Sequence, residues 1–403
     1  MINKKKINSI AVLIENIEYG GTTTHLINLI NSEKFRNKKF IIITNKGNKA
    51  VKNILSSCKK RRIKILYYTS LFFPFFSIKL FKLSHYFLKP LLFPISIFQM
   101  HQILKKIKYD LLLANFGGYG DFRSELSGVI ASKILNRKNL FLLIHHCYTK
   151  PFFWNNLINK FISLFIGSFA KGIIFVSNAT KNNIMKNTYL LKNSKGKMKV
   201  IHNGVNTNIA NQKPLKIFNT NSKIKVLMLS RLEKYKGHED FVYAFSKLPE
   251  RIQIKYKIFF VGRGDPFFVR RLKNKIINLK LKENFKFFNY LNFESIRIFK
   301  SVNVFFSLTR DFEGFGYSIA ESLLAKTPVI STKVGGVVEF LNKDNSELIE
   351  PRDTKKITQI LIKFIKKRNY FKKKAIKGKL LIQKKFNSNV MGENFYKFFL
   401  QSS

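Results

Sequence analysis

Two glutamates and two glycines make the stretch RDFEGFGYSIAESLLAKTPVIST a candidate binding site for a phosphorylated sugar. A helix is predicted from about Ser318, so the N–H groups near Gly316 and Tyr317 lie at a helix N-terminus, where anions bind. Glycine there lets a phosphate approach the backbone closely. Glu321, in the first turn, is suited to bind a ribose diol, and Glu313 can accept hydrogen bonds from sugar hydroxyls. The alternative is that one acid is exposed and the other only caps the helix.

Two cations follow another strand-like run, IKVLMLS, in the segment LSRLEKYKG. Ligands of doubly wound sheets bind outside the carboxyl ends of the strands, where Arg231 and Lys236 are expected. Two cations there can neutralise a diphosphate leaving group. Gly262, in FFVGRGD, and the pair Gly20 and Gly21 follow other strands and can approach the same pyrophosphate. FFVGRGD is not a GxGxxG fingerprint, and the chain has no Walker A motif.

The elements that position these residues alternate between short apolar runs and helix-like segments. INSIAVLI, KFIIIT, IKILYY, YDLLLANF, NLFLLIHH and KGIIFVS form a first series of strands. After the polar stretch NGVNTNIANQKPLKIFNTNSK, a second series comprises IKVLMLSRL, KYKIFFVGRGD, ENFKFFNYL, VNVFFSLT and TPVIST, each followed by a helix-like segment. Continuous apolar strands between helices predict α/β, doubly wound sheets covered on both faces. The tail NSNVMGENFYKFFL has helical spacing of apolar residues.

The composition limits the classes of protein. A chain of 403 residues favours two domains. The net charge of +52 fits either a nucleic-acid binder or a general lysine-rich composition, and the scattered lysines favour the second. In both cases the surface attracts anions such as nucleotides and acidic lipid headgroups. Cys58 and Cys147 form neither a disulfide framework nor a zinc site, so a reducing cytoplasm fits. The short N-terminal apolar run is predicted to be a strand, not a signal peptide.

One segment, Leu71 to Leu104, is rich in Phe and Leu but is interrupted by Lys79, Lys82, Lys89 and three prolines. It lacks the roughly 18 uninterrupted apolar residues of a spanning helix. It is either a set of core-packing helices or a surface patch that touches a membrane, aromatic on one side and lined by lysines. Residues 151–169 have a similar character.

The motifs together resemble the retaining, nucleotide-sugar-dependent glycosyltransferases of family 4. The Gly20–Gly21 loop, FVSN, VIHNGVN, LSRLEKYKG, VGRGD, EGFGYSIAE with its E-x7-E spacing, and VGGVVEFL occur in the family's order over nearly the whole chain. The resemblance implies a GT-B fold, in which two Rossmann-like domains face a cleft. We expect an acceptor-side domain over residues 1–205, a nucleotide-sugar-binding domain over 206–385, and a C-terminal helix over 386–403 that crosses back to the first domain.

The resemblance also implies roles for individual residues. Arg231 and Lys236 would hold the diphosphate, Glu321 the ribose and Glu313 the donor sugar. The backbone around Phe315 to Tyr317 would contact sugar or phosphate.

In the family, a histidine after a first-domain strand lies near the reacting sugar. FLLIHHCY offers His145, with His146 as the alternative. Asn289 stands where the family commonly has glycine, in a loop near the nucleotide base, so the base is left open.

We expect no metal, because the other histidines lack ligand spacing and no Asp-x-Asp stands near the site. Arg231, Lys236 and the helix dipole would replace the cation.

The predicted function is transfer of a hexosyl group, with retention, from a UDP- or GDP-linked sugar to a glycan or lipid-linked acceptor. The pathway would be cell-surface polysaccharide or lipopolysaccharide synthesis. We expect a cytoplasmic protein that can contact the inner face of an anionic membrane, with no separate cofactor and no nucleic acid. The alternatives are a nucleic-acid-binding protein and a GT-B homologue that has lost activity.

Overall fold

The computed structural model describes residues 7–72, 79–120, 122–149, 153–190, 192, 194, 196–218, 223–289 and 295–402. The chain forms two compact units. The first unit comprises Met1–Gly204 and Ser388–Ser403, and the second comprises Val205–Asn387. None of the helices in the described part of the chain is both long enough and apolar enough to cross a membrane.

The first unit contains a seven-stranded parallel sheet of order β3-β2-β1-β4-β5-β6-β7. Its strands are β1 (Ser9–Ile14), β2 (Lys39–Asn45), β3 (Arg62–Tyr68), β4 (Leu111–Phe116), β5 (Leu140–Ile144), β6 (Gly172–Phe175) and β7 (Lys197–Val200). The central strands are buried on both faces, as their continuous apolar sequences require. The order reverses between β1 and β4, which makes their carboxyl ends the expected place for a ligand.

Helices cover both faces of this sheet. They are α1 (Gly21–Asn31), α2 (Val51–Ser57), α3 (Lys79–Lys105), α4 (Ser124–Ile134), α5 (Phe153–Phe169), α6 (Asn178–Asn187) and, from the end of the chain, α14 (Ser388–Gln401). Apolar side chains of α3, α4 and α5 share one core with the sheet, and those of α1 and α14 share the core on the opposite face. In α14, Phe395, Phe398 and Phe399 are buried, which confirms the helical spacing predicted for the tail.

The second unit contains a six-stranded parallel sheet of order β10-β9-β8-β11-β12-β13. Its strands are β8 (Ile224–Leu229), β9 (Tyr256–Val261), β10 (Phe285–Phe288), β11 (Val304–Ser307), β12 (Val329–Thr332) and β13 (Glu347–Ile349). The helices are α7 (His238–Ser246), α8 (Glu250–Gln253), α9 (Pro266–Asn278), α10 (Ser295–Lys300), α11 (Tyr317–Leu324), α12 (Thr354–Lys366) and α13 (Arg368–Lys385). Here the switch point lies between β8 and β11.

The two parallel sheets confirm the doubly wound prediction, and all eleven runs named as strands contain one. Two strands, β7 and β13, were not predicted. The prediction of a helix after TPVIST was wrong, because a short 3-10 helix, Gly335–Glu339, follows β12.

The predicted start of α11 was one residue late. The helix begins at Tyr317, and Gly316, with φ of 86°, stands at its N-cap. Glu321 is therefore the fifth residue of the helix and lies beyond its first turn. Ile319, Leu323 and Leu324 of this helix are buried.

The apolar segment around α3 contains both buried and exposed apolar side chains, so the core-packing interpretation accounts for only part of it. Phe93, Met100 and Leu104 pack in the core of the first unit, while Leu91 and Phe98 are exposed. Residues 73–78 and 150–152, together with the side chains of Lys79 and Lys82, lie outside the described residues.

Candidate functional site

The carboxyl ends of β8 and β11 bring a lysine and a glutamate together in the second unit. Lys236 Nζ donates a hydrogen bond to Glu313 Oε2 at 2.8 Å, and Thr309 Oγ1 lies 3.4 Å from both atoms. Only 13% of the Lys236 side chain and 21% of the Glu313 side chain are exposed. Burial opposes the charge of Lys236, but the carboxylate of Glu313 and the side chain of Tyr235 together raise the pKa of the lysine above its usual value. The lysine is therefore charged at neutral pH.

The loop that carries Glu313 is held at both ends. The Arg310 guanidinium donates two hydrogen bonds to Asp240 of α7, at 2.8 and 2.7 Å, in a pair that is almost wholly buried. The N–H of Gly336 donates to the Glu313 carbonyl at 2.7 Å. At Gly335, with φ of 59°, an added Cβ would lie 2.1 Å from that carbonyl oxygen, so only glycine fits. The VGGVVEFL segment thus fixes the backbone of Glu313.

Arg231 follows β8 and is more open to solvent. Its guanidinium donates to Glu233 Oε1 at 2.8 Å and to the hydroxyl of Tyr235 at 2.6 Å, while 67% of its side chain is exposed. The Tyr235 ring lies 5.9 Å from the Arg231 guanidinium carbon and 4.9 Å from Lys236 Nζ. Tyr235 therefore connects the two cations that the sequence singled out.

The N-terminus of α11 follows the same loop. No side chain caps the backbone at Gly316, so within the described residues this helix end presents N–H groups as an anion site does. Glu321 is half-buried on the second turn. The Phe315 ring is buried against Tyr317 and Phe340, which leaves its backbone as the part that a ligand could contact.

Gly262 follows β9, next to the end of β8. Its φ is 151°, and an added Cβ would lie 1.9 Å from the carbonyl oxygen of Ser230. The close approach of these two strand ends explains this glycine without a ligand.

In the first unit, His145 follows β5 and is almost fully buried. Its Nε2 donates to Oδ1 of Asn115 in β4 at 2.6 Å, and its ring meets that of His25 edge-on, with the centroids 4.7 Å apart. His25 Nδ1 donates to Oδ1 of Asn203 at 2.8 Å. Burial lowers the pKa of His25 to about 4, and burial with the neighbouring histidines lowers the pKa of His145 well below its usual value. Both imidazoles are therefore neutral at neutral pH.

His146 and the glycine pair lie nearby in sequence but differ in setting. His146 is half-buried, and its Nδ1 lies 3.1 Å from Cys147 Sγ. Gly20 is the N-cap of α1, and Gly21 is its first residue. An added Cβ on Gly20 would have no atom within 4 Å, so packing does not account for glycine at this position.

Two buried glutamates, Glu15 directly after β1 and Glu125 in α4, meet in the first unit and were not predicted from the sequence. Glu15 accepts hydrogen bonds from the backbone N–H and the hydroxyl of Ser124, at 3.0 and 2.8 Å, and from the hydroxyl of Ser70. The Glu15 N–H donates to Glu125 Oε1 at 2.8 Å. Burial, and then the charge of Glu15, raise the pKa of Glu125 to about 8. Glu125 therefore holds its proton at neutral pH while Glu15 caps α4.

The structure thus groups the predicted residues within each unit. Lys236 contacts Glu313 directly, and Arg231 joins them through Tyr235. Sequence reasoning missed the pairing of Asp240 with Arg310 and of His25 with His145, because each joins residues distant in the chain. In the described part of the chain, no three His, Cys, Asp or Glu side chains are grouped to hold a metal ion.

Comparisons with known proteins identify the family and the fold of the chain. Residues 19–209 match the Glycosyltransferase Family 4 profile, and residues 211–378 match the Glycosyl transferases group 1 profile. An uncharacterized glycosyltransferase of Methanocaldococcus jannaschii is 25% identical over 77% of this chain and 80% of its own length.

Solved structures show the same fold. Anabaena HepE, solved with UDP and glucose, superposes with a TM-score of 0.74 at 20% identity, over 97% of this chain and 98% of HepE. A glycosyltransferase from Rickettsia africae superposes with a TM-score of 0.75 at 22% identity, over 98% of both chains. These likenesses establish the GT-B fold. Since the two profiles together span nearly the whole chain, the protein belongs to the group 1 glycosyltransferases of family 4, retaining enzymes that use nucleotide-sugar donors.

Proposed function

We propose that this glycosyltransferase moves a hexosyl group from a UDP- or GDP-linked sugar to a glycan or lipid-linked acceptor, with retention of configuration. The pathway would be the synthesis of cell-surface polysaccharide or lipopolysaccharide, at the cytoplasmic face of the membrane. The observation that carries the proposal is the buried Lys236–Glu313 pair at the carboxyl ends of β8 and β11, beside the N-terminus of α11. It supplies a fixed cation for a leaving diphosphate and a fixed carboxylate for sugar hydroxyls.

In this proposal Lys236 and Arg231 neutralise the diphosphate, together with the N–H groups around Gly316. Glu321 binds the ribose, and Glu313 orients the donor sugar. Lys236 is already paired with Glu313. The ammonium group of Lys236 therefore either contacts the diphosphate and Glu313 together or leaves Glu313 to contact the diphosphate. The leaving group is then stabilised without a metal ion.

In the first unit, His145 is proposed to act near the reacting sugar. Its Nε2 is engaged by Asn115, so in this tautomer its Nδ1 is the nitrogen that can accept a hydrogen bond from a hydroxyl. The Gly20–Gly21 turn is proposed to approach the pyrophosphate.

The function is tested by following release of nucleoside diphosphate from UDP-, GDP- and ADP-linked sugars. Anabaena HepE was solved with UDP-glucose, which makes this the first donor to try. Arg231→Ala and Lys236→Ala should each lower kcat/KM by roughly 10²-fold, the scale for losing one electrostatic partner of the transition state. Lys234→Ala is the matched control, because Lys234 is an exposed lysine of the short 3-10 helix, Lys234–Lys236, that also carries Lys236.

Two results would contradict the proposal. Unchanged kinetics in folded Arg231→Ala and Lys236→Ala proteins would remove the diphosphate assignment. Loss of activity in EDTA with recovery in Mn²⁺ would show that a metal ion neutralises the leaving group. Proton NMR of the product supplies the configuration, which should match that of the donor.

A further inference from the structure

Two helices of the first unit carry apolar side chains that face away from the core. Leu91, Ile95 and Phe98 of α3 are 70%, 57% and 65% exposed. Their spacing of four and three residues places them on one side of the helix. Met100 and Leu104, on the opposite side, are completely buried in the core beneath the helix.

Helix α5 likewise has one exposed apolar side and one side buried in the core. Leu157, Phe161 and Phe165 are 51%, 67% and 50% exposed and recur every four residues, while Ile166 is buried in the same core as α3. Both helices therefore cover the same face of the seven-stranded sheet and present their apolar sides outward. We call these six exposed residues of α3 and α5 the apolar face.

The apolar face is richer in exposed aromatic rings than the rest of the described surface. Among the described residues only four phenylalanines are exposed, and three of them, Phe98, Phe161 and Phe165, belong to it. Large apolar groups exposed together on the helices of one face of a sheet generally mark an interaction site. The question is then which partner covers it.

Charge decides between an anionic membrane and a second copy of the chain. Neither α3 nor α5 contains an aspartate or glutamate. Of their described lysines, Lys89 is buried and Lys160 is half-buried, but Lys105 at the end of α3 is exposed, as are Lys106 and Lys108 just beyond it. Two copies meeting through this face would bring like charges together. Apolar groups with exposed lysines at one end of the helix instead suit an anionic bilayer, since the rings enter the interface and the ammonium groups meet the headgroups.

We propose that the apolar face of α3 and α5 is the surface through which this protein binds anionic lipid membranes. The proposal deepens the proposed function, because it brings the enzyme to the surface where a lipid-linked acceptor resides. The helices lie along the interface and do not cross it.

The test is flotation of the whole purified protein with two kinds of vesicle, without any donor. The protein should bind vesicles of phosphatidylcholine with phosphatidylglycerol much better than vesicles of phosphatidylcholine alone, and less well as NaCl rises from about 50 to about 500 mM. Phe98→Glu and Phe161→Glu should each weaken binding by about tenfold or more, as expected for losing a buried ring. Both residues are exposed in the free protein, so the variants should keep its thermal stability.

The matched control is Phe267→Glu, which changes the fourth exposed phenylalanine, 83% exposed on α9 of the second unit. It should bind like the unaltered protein. Arg231→Ala should also bind normally, so a failure of the donor chemistry cannot be mistaken for a failure of membrane binding.

Two results would overturn the proposal. One is equal or absent binding to the two kinds of vesicle, or normal binding by both Phe98→Glu and Phe161→Glu. The other is a dimer, seen by light scattering, that these two variants dissociate, which would assign the apolar face to a second copy of the chain.

Discussion

Glu313 brings a negative charge into a site that we propose for a diphosphate, and its ion pair with Lys236 offsets that charge. The pair explains how an acid and a phosphate can share one loop. Removing the carboxylate frees the lysine and removes a repulsion. The two glutamates of the E-x7-E motif should therefore respond to substitution in opposite ways.

Glu313→Gln should bind nucleoside diphosphate at least as tightly as the unaltered enzyme, yet turn over the full donor roughly 10²-fold more slowly, because the sugar loses a positioning contact. Glu321→Gln should weaken nucleoside diphosphate binding, since the ribose is present in that ligand. Calorimetry with UDP or GDP separates the two effects. Glu350→Gln, on an exposed glutamate of the same unit, is the control. The roles are reversed if Glu313→Gln abolishes binding while Glu321→Gln spares it.

The buried imidazole pair of the first unit gives a prediction for pH. His25 has a folded-state pKa of about 4, below the 6.5 of an exposed histidine. As pH falls from about 6.5 towards 4, the unfolded chain takes up a proton that the folded chain refuses, so stability is lost. The shift corresponds to about 3 kcal/mol at the acidic end.

His25→Gln should lose less stability than the unaltered protein when the midpoint of urea unfolding is followed from pH 7 to pH 4.5. The glutamine amide can still donate to Asn203, and the contribution of His145 remains, so only part of the slope disappears. His101→Gln, on a half-buried histidine of α3, is the control. Equal slopes in the His25→Gln and unaltered proteins would contradict the assignment.

At the scale of elements, the sequence indicated most strands correctly because buried parallel strands have continuous apolar sequences. It failed at one edge of each sheet, although the strands at the opposite edges, β3 and β10, were predicted. The strand β7, KMKV, is exposed or half-buried throughout, and β13 has only three residues. Neither of these two edge strands has a continuous apolar run to identify it.

The site, like the strands, was predictable only in part. Arg231, Lys236 and Glu313 follow recognisable strands, so their shared sheet edge could be inferred. The contacts between Arg310 and Asp240, and between His25 and His145, depend on how loops from different strands meet. The 3-10 helix at Gly335–Glu339 was missed for a related reason. Its backbone is positioned by a contact with another loop, because the Gly336 N–H donates to the carbonyl of Glu313.

The last helix, α14, gives the prediction at this scale. It supplies Phe398 and Phe399 to the first unit, where both rings pack against Phe141 of β5. Phe399→Ala should destabilise that unit by about 3–5 kcal/mol, because it leaves a cavity beneath the sheet. Leu380→Ala, on a 61% exposed residue of α13, should change stability by less than about 0.5 kcal/mol. Thermal unfolding of both variants measures the difference, and equal effects would mean that α14 does not stabilise the first unit.

For the whole molecule, the net charge of +52 affects the stability of the folded state more than any single ion pair does. The chain has 74 lysines and arginines but only 22 aspartates and glutamates, so most cations cannot have an acidic partner of their own. Folding brings these charges together, and their repulsion destabilises the compact state. The expanded unfolded chain relieves that repulsion.

Salt should therefore stabilise this protein. At an ionic strength of about 0.01 M the screening length is about 30 Å, and at about 0.1 M it is about 10 Å, so the repulsion between distant lysines is largely removed over this interval. We expect Tm to rise by roughly 2–4 °C, which corresponds to about 1 kcal/mol in units of this size. Calorimetry in NaCl, without phosphate or nucleotide, measures the effect, because anions that occupy the donor site would stabilise the fold by binding. A Tm that falls with salt would mean that attractive ion pairs, such as Arg310–Asp240 and Lys236–Glu313, outweigh the general repulsion.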